Sequence, residues 1–73
     1  MEKYVIFKET SETNREYVEY IYRTSVSYDK DIGDAIEFDN KRLALDVARY
    51  LEKRAGNVAY KVLAIKTTME IVD

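Results

Sequence analysis

Three stretches of this chain carry apolar side chains on both sides of an alternating pattern, while a single segment with helical spacing is available to cover them. In Lys3 to Glu9, Val5 and Phe7 oppose Tyr4 and Ile6. From Tyr17 to Tyr28, strict alternation puts Val18, Tyr20, Tyr22, Thr24, Val26 and Tyr28 on one side, with Tyr17 and Ile21 among polar residues on the other. In Val58 to Thr67, Val58, Tyr60, Val62 and Ala64 oppose Leu63 and Ile65, leaving open which set meets the helix. These are strands of one sheet, and one helix dries one face of it. The other face is expected to meet a partner, because a contiguous apolar patch is uncommon on a soluble monomer. Tyr4, Ile6, Ile21, Leu63 and Ile65 are the residues such a patch would hold.

The helix is the best-marked element. Asn40 suits an N-cap, Gly56 stands where a left-handed residue is wanted, and Lys53 and Arg54 occupy the last turn, where the macrodipole favours cations. Between them Ala44, Val47, Ala48, Leu51 and Ala55 fall on one stripe. Its alanines imply close approach to the strands, with Phe7, Tyr20 and Tyr22 filling the gaps. Leu43, Leu45 and Tyr50 flank the stripe as rim or partner contacts.

The polar run from Thr10 to Glu16 reads as a hairpin loop, and Asp29 to Asp34 as a second loop around Gly33. The strand between them exceeds the usual length, which suggests a bulge or strong twist, weakest from Thr24 to Ser27. Ala35 to Phe38 forms a short extended lead-in to the helix, and Thr68 to Val72 extends the last strand. The expected fold is α+β, arranged β-β-α-β. Its three- to four-stranded antiparallel sheet has the order two, one, last, with the helix packed on one face. Without proline or a low-complexity stretch there is no place for a linker, so residues 1–73 form one domain.

A chain of 73 residues buries only about 60% of its unfolded surface, and dimerisation is the cheapest added support. It has no cysteine and no histidine. That excludes disulfides, thiolate zinc and histidine-based acid–base or metal chemistry. Ser11, Ser25 and Ser27 have no activating base, and no glycine-rich phosphate loop is present, so a non-enzymatic protein without metal or cofactor is expected. Asp29, Asp31 and Asp34 surround Gly33 but fail the calcium-loop spacing, and a polar turn is the better reading. No run reaches the roughly 18 apolar residues of a membrane span. A whole, soluble chain in a cytoplasmic setting is the expectation.

The stretch from Ala35 to Leu51, with its capped helix and spaced Ala44, Val47-Ala48 and Leu51, followed by Tyr60-Lys61-Val62-Leu63-Ala64-Ile65, resembles small uncharacterised accessory proteins of phages and prophages. The resemblance covers residues 35–65. It implies a protein that binds and modulates a host or phage component, and it supplies no functional motif whose residues transfer to this chain.

Charge and tyrosine content sharpen that expectation. Residues 1–40 hold ten acidic and five basic side chains, whereas residues 41–73 hold four acidic and seven basic. The acidic half reads either as a solvated surface or as a patch for a basic partner. In the second reading Glu9, Glu12, Glu16 and Glu19, with Asp29, Asp31 and Asp34, occupy a basic site on a nucleic-acid-binding protein as a DNA mimic, and Tyr4, Ile21 and Tyr50 add contacts. Seven tyrosines suit a small core and a protein interface. They also allow the alternative of direct nucleic-acid binding. There Tyr20 and Tyr22 would stack bases while Lys41, Arg42, Arg49, Lys53 and Arg54 held phosphates. The leading reading is a protein-binding module, self-associating as a homodimer, that inhibits or modulates another macromolecule.

Overall fold

The computed structural model describes residues 2–10, 14–23, 25–66 and 70–73. Its elements, in chain order, are β1 (Lys3–Glu9), β2 (Arg15–Tyr22), β3 (Ser25–Asp29), a single 3₁₀ turn (Ile32–Asp34), α1 (Lys41–Ala55), β4 (Tyr60–Ile65) and β5 (Glu70–Ile71). They build an α+β fold around one five-stranded antiparallel sheet of order β3-β2-β1-β4-β5. The central order β2-β1-β4 is the expected one. Five strands replace the expected three to four because both long segments break into hairpins. The 17–28 segment turns after Tyr22, which pairs with Ser25, and Arg23 takes a positive φ of 55° in that turn. Residues 70–71 fold back on β4, with Ile71 opposite Leu63, instead of prolonging it.

The helix forms where its signals stand. Asn40 Oδ1 accepts the Leu43 N–H at 3.1 Å, and Gly56 ends the helix at a φ of 85°, with its N–H on the Glu52 carbonyl. Ala44, Ala48 and Leu51 are buried against Ile6, Val18, Tyr60 and Val62. Val47 is half-buried and Ala55 is exposed, so the contact stripe ends one turn earlier than its spacing suggests. Phe7, Tyr20 and Tyr22 do not fill the space beneath the helix. Phe7 belongs to the opposite face, and both tyrosines point into solvent there. The helix lies mainly over β1 and β4, which leaves Ile21, Val26 and Tyr28 of the β2–β3 half only half-buried on its side of the sheet.

The second face is where the structure departs most from expectation. Val5, Phe7 and Leu63 form a second buried cluster, flanked by Tyr17, Ile32, Ala35 and Ile65. The loop after β3 covers them. Ile32 and Ala35 lie on this face, while Ile36 and Phe38 pack on the helix side. The chain therefore crosses from one face to the other. It does so through a split in the sheet, since β1 and β2 pair only from Phe7–Tyr17 to Glu9–Arg15. Beyond that point residues 36–38 fill the gap. The Ile36 N–H donates to the Val18 carbonyl at 2.9 Å, and Tyr4 and Phe38 exchange two backbone hydrogen bonds of 2.8 Å. The inserted segment satisfies the backbone groups that the split would orphan.

The chain itself covers part of the patch expected to drive self-association. Ile6 is fully buried, Leu63 is 4% exposed, and Tyr4, Ile21 and Ile65 are half-buried. Among the described residues, no helix is long and apolar enough to cross a membrane.

Candidate binding surface

A single extra residue in β2 creates the most distinctive exposed surface. Val18 pairs with Tyr28, but the next aligned pair is Tyr20 with Ser27, so Glu19 is bulged out. After the bulge the parity reverses. Ile21 joins Val18, Val26 and Tyr28 on the helix side, and Tyr20 and Tyr22 turn to the other face. There they are 54% and 53% exposed, with rings stacked 6.2 Å apart at 15°. The Arg23 guanidinium lies 5.4 Å from the Tyr22 ring.

The same bulge places Glu19 on this face, where Ser27 Oγ donates to it at 3.3 Å. One carboxylate oxygen each from Glu19, Asp29 and Asp34 lie within 4.8 Å of one another. Three like charges this close are mutually repulsive, and a cation brought among them relieves that repulsion. The ring pair and the carboxylates share one side of the β2–β3 hairpin, an amphipathic surface with a negative flank.

The other acidic candidates are dispersed. Glu9 is exposed at the end of β1 opposite Arg15. Glu16 lies on the helix side, 3.7 Å from Lys8 Nζ. Asp31 caps the 3₁₀ turn, accepting the Gly33 N–H at 2.8 Å, while its own N–H donates to Asp29 Oδ1 at 2.7 Å. That is the polar turn the sequence suggests. Glu12 lies outside the described residues. Of the seven expected acids, three gather into one patch.

The apolar candidates also separate. Tyr4 packs beside the helix-side core, and its hydroxyl donates to Glu2 at 2.7 Å; that bond holds the Glu2 carboxyl below its usual range and pushes the Tyr4 hydroxyl up. Ile21 packs partly against the same core. Tyr50 is 52% exposed on the outer side of the helix, with Arg54 6.0 Å from its ring. The nucleic-acid alternative loses its geometry here. Lys41, Arg42, Arg49, Lys53 and Arg54 stand on the helix, and the sheet separates them from Tyr20 and Tyr22. Arg42 and Arg49 are moreover engaged, Arg42 with Asp46 at 3.4 Å and Arg49 with Glu52 at 2.6 Å and with Asp73.

A second feature, on the helix side, has no counterpart in the sequence reading. Because the helix lies mainly over β1 and β4, a groove of about 330 Å³ opens between its last turns and β3, lined by Val26, Tyr28, Leu51, Arg54, Ala55 and Tyr60. The Tyr28 and Tyr60 hydroxyls in its lining are 2.7 Å apart, and Lys8 Nζ lies 4.0 Å from the centre of the Tyr28 ring. The Tyr60 N–H is held by Glu52 at 2.9 Å. The β2–β3 hairpin thus borders a groove of mixed aliphatic, tyrosine and arginine lining on one side and presents an acidic, aromatic surface on the other.

No protein family, curated protein or solved structure matches the chain.

Proposed function

We propose that the chain is a protein-binding module whose contact surface is the far side of the β2–β3 hairpin, with Tyr20 and Tyr22 as anchors and Glu19, Asp29 and Asp34 as the charged flank. The observation that carries this reading is the stacked, half-exposed tyrosine pair beside three converging carboxylates. Tyrosine combines a large apolar area with a hydroxyl and loses little rotamer freedom on binding, which is why it serves as an interface anchor. The carboxylates select a cationic partner and steer its approach. In this reading the chain occupies a basic site on another macromolecule and modulates it without chemistry of its own. The small accessory proteins that it resembles imply the same kind of work, and a basic nucleic-acid-binding protein is the partner class that fits the charge.

The test is capture from a cell lysate with three baits: the native chain, Tyr20→Ala/Tyr22→Ala, and Glu19→Gln/Asp34→Asn. Basic proteins retained by the native chain should be lost from both variants, and raising the salt should weaken retention. The same basic proteins captured equally by all three baits would refute the proposed surface.

A further inference from the structure

We infer that β3 is a docking edge: it accepts, as an added strand, an extended polypeptide whose residues alternate between apolar and cationic. This deepens the reading above and rests on it. Among the described residues β3 ends the sheet, so its backbone groups facing away from β2 have no described strand beyond them. The opposite edge differs. β5 is only two residues long, too short to template a strand, and is flanked by the Lys66–Glu70 pair at 3.5 Å. β3 runs Ser-Val-Ser-Tyr-Asp, with no lysine, proline or bulge of its own, and its single charge, Asp29, stands at its end.

What lies on either side of this edge sets the sequence it would read. A strand laid against β3 points alternate side chains to the two faces of the sheet. On the helix side they lie beside Val26 and Tyr28, the outer wall of the groove, and apolar side chains pair best across strands with that valine and tyrosine. On the other side they meet Asp29, with Glu19 and Asp34 within 4.8 Å of it, and the exposed rings of Tyr20 and Tyr22. Carboxylates and aromatic faces both favour lysine or arginine there. Main-chain hydrogen bonds supply the grip and the two unlike faces supply the selection. A second copy of this chain is a poorer fit. Its own β3 would bring Ser25, Ser27 and Asp29 to the acidic side, where cations are wanted.

The experiment titrates the full chain with an eight-residue alternating Leu–Lys peptide, following anisotropy and amide chemical shifts. Three control peptides accompany it: the same composition in blocks, an alternating Leu–Glu peptide, and a Leu–Lys peptide N-methylated at every second residue, in both phases. Binding should shift β3 amides. It should fall about tenfold or more with the blocked order, with Leu–Glu and with the N-methylated phase that faces β3, and by a similar factor for Glu19→Gln/Asp34→Asn. If blocked and N-methylated peptides bind as well as the parent while the acidic variant still weakens all of them, strand addition is wrong and the charged surface alone stands. If no lysine peptide binds, both readings fail. A peptide-free mass of two chains that Val26→Lys returns to one would assign the edge to a twin and overturn the proposal.

Discussion

Tyr60 is the residue whose ionisation the fold controls most strongly. It is 4% exposed, and its burial, helped by the hydrogen bond to Tyr28, pushes its pKa well above the usual tyrosine value. The unfolded chain releases this proton near pH 10, as a free tyrosine does, whereas the folded chain holds it to higher pH. Above about pH 10 the unfolded state therefore binds fewer protons, and stability must fall as pH rises. Below that value Tyr60 is protonated in both states and adds no pH dependence of its own. Tyr60→Phe should flatten part of the alkaline decline and, at neutral pH, cost about 0.5 to 1.5 kcal/mol for the lost hydroxyl pair. Denaturant melts at pH 7 and at pH 11 measure both; an alkaline decline unchanged by the substitution would show that Tyr60 does not carry it. That Tyr60 faces the helix was one of two parities open in its strand, and the partner hydroxyl of Tyr28 becomes adjacent only when both side chains project from the same face of the sheet.

At the scale of elements, the helix shows how far local signals reach. Its cap at Asn40, its end at Gly56 and its contacts through Ala44, Ala48 and Leu51 stand where spacing puts them. Leu51→Ala should cost about 2 to 5 kcal/mol as a buried truncation, while Leu43→Ala, on the exposed flank, should stay within about 0.5 kcal/mol. Equal losses for the two, read from urea midpoints, would mean the stripe is misplaced. The second strand shows where local signals stop. A bulge adds one residue without any composition mark of its own, and the extra Glu19 moved Tyr20 and Tyr22 from the expected core face to solvent. The pair Val18 and Ile21, three apart with an acid between, was the available hint. Strict alternation hides it, because the tyrosines suit either side of a sheet.

At the scale of the whole molecule, two apolar faces on one sheet have two solutions, a twin or the chain's own loop. Here the loop covers part of the second face, with Ile32 and Ala35 over Val5, Phe7 and Leu63. Light scattering at tens of micromolar should then give the mass of one chain, and Ile65→Asp should lower the melting temperature without changing that mass. A dimer that Ile65→Asp splits would show that the loop leaves the face incomplete. Residue order alone determined the α+β class, the helix with its ends, the antiparallel centre β2-β1-β4 and the two-sided apolar character of the strands, since each follows from periodicity and capping within a short window. Tertiary structure decided which parity faces the helix, how the lead-in at residues 36–38 wedges between β1 and β2, and which three of the acidic residues converge. Those outcomes depend on contacts between segments far apart in the chain. A side chain's face is fixed by the register of its partner strand, and a one-residue shift in that register carries every later side chain to the other side.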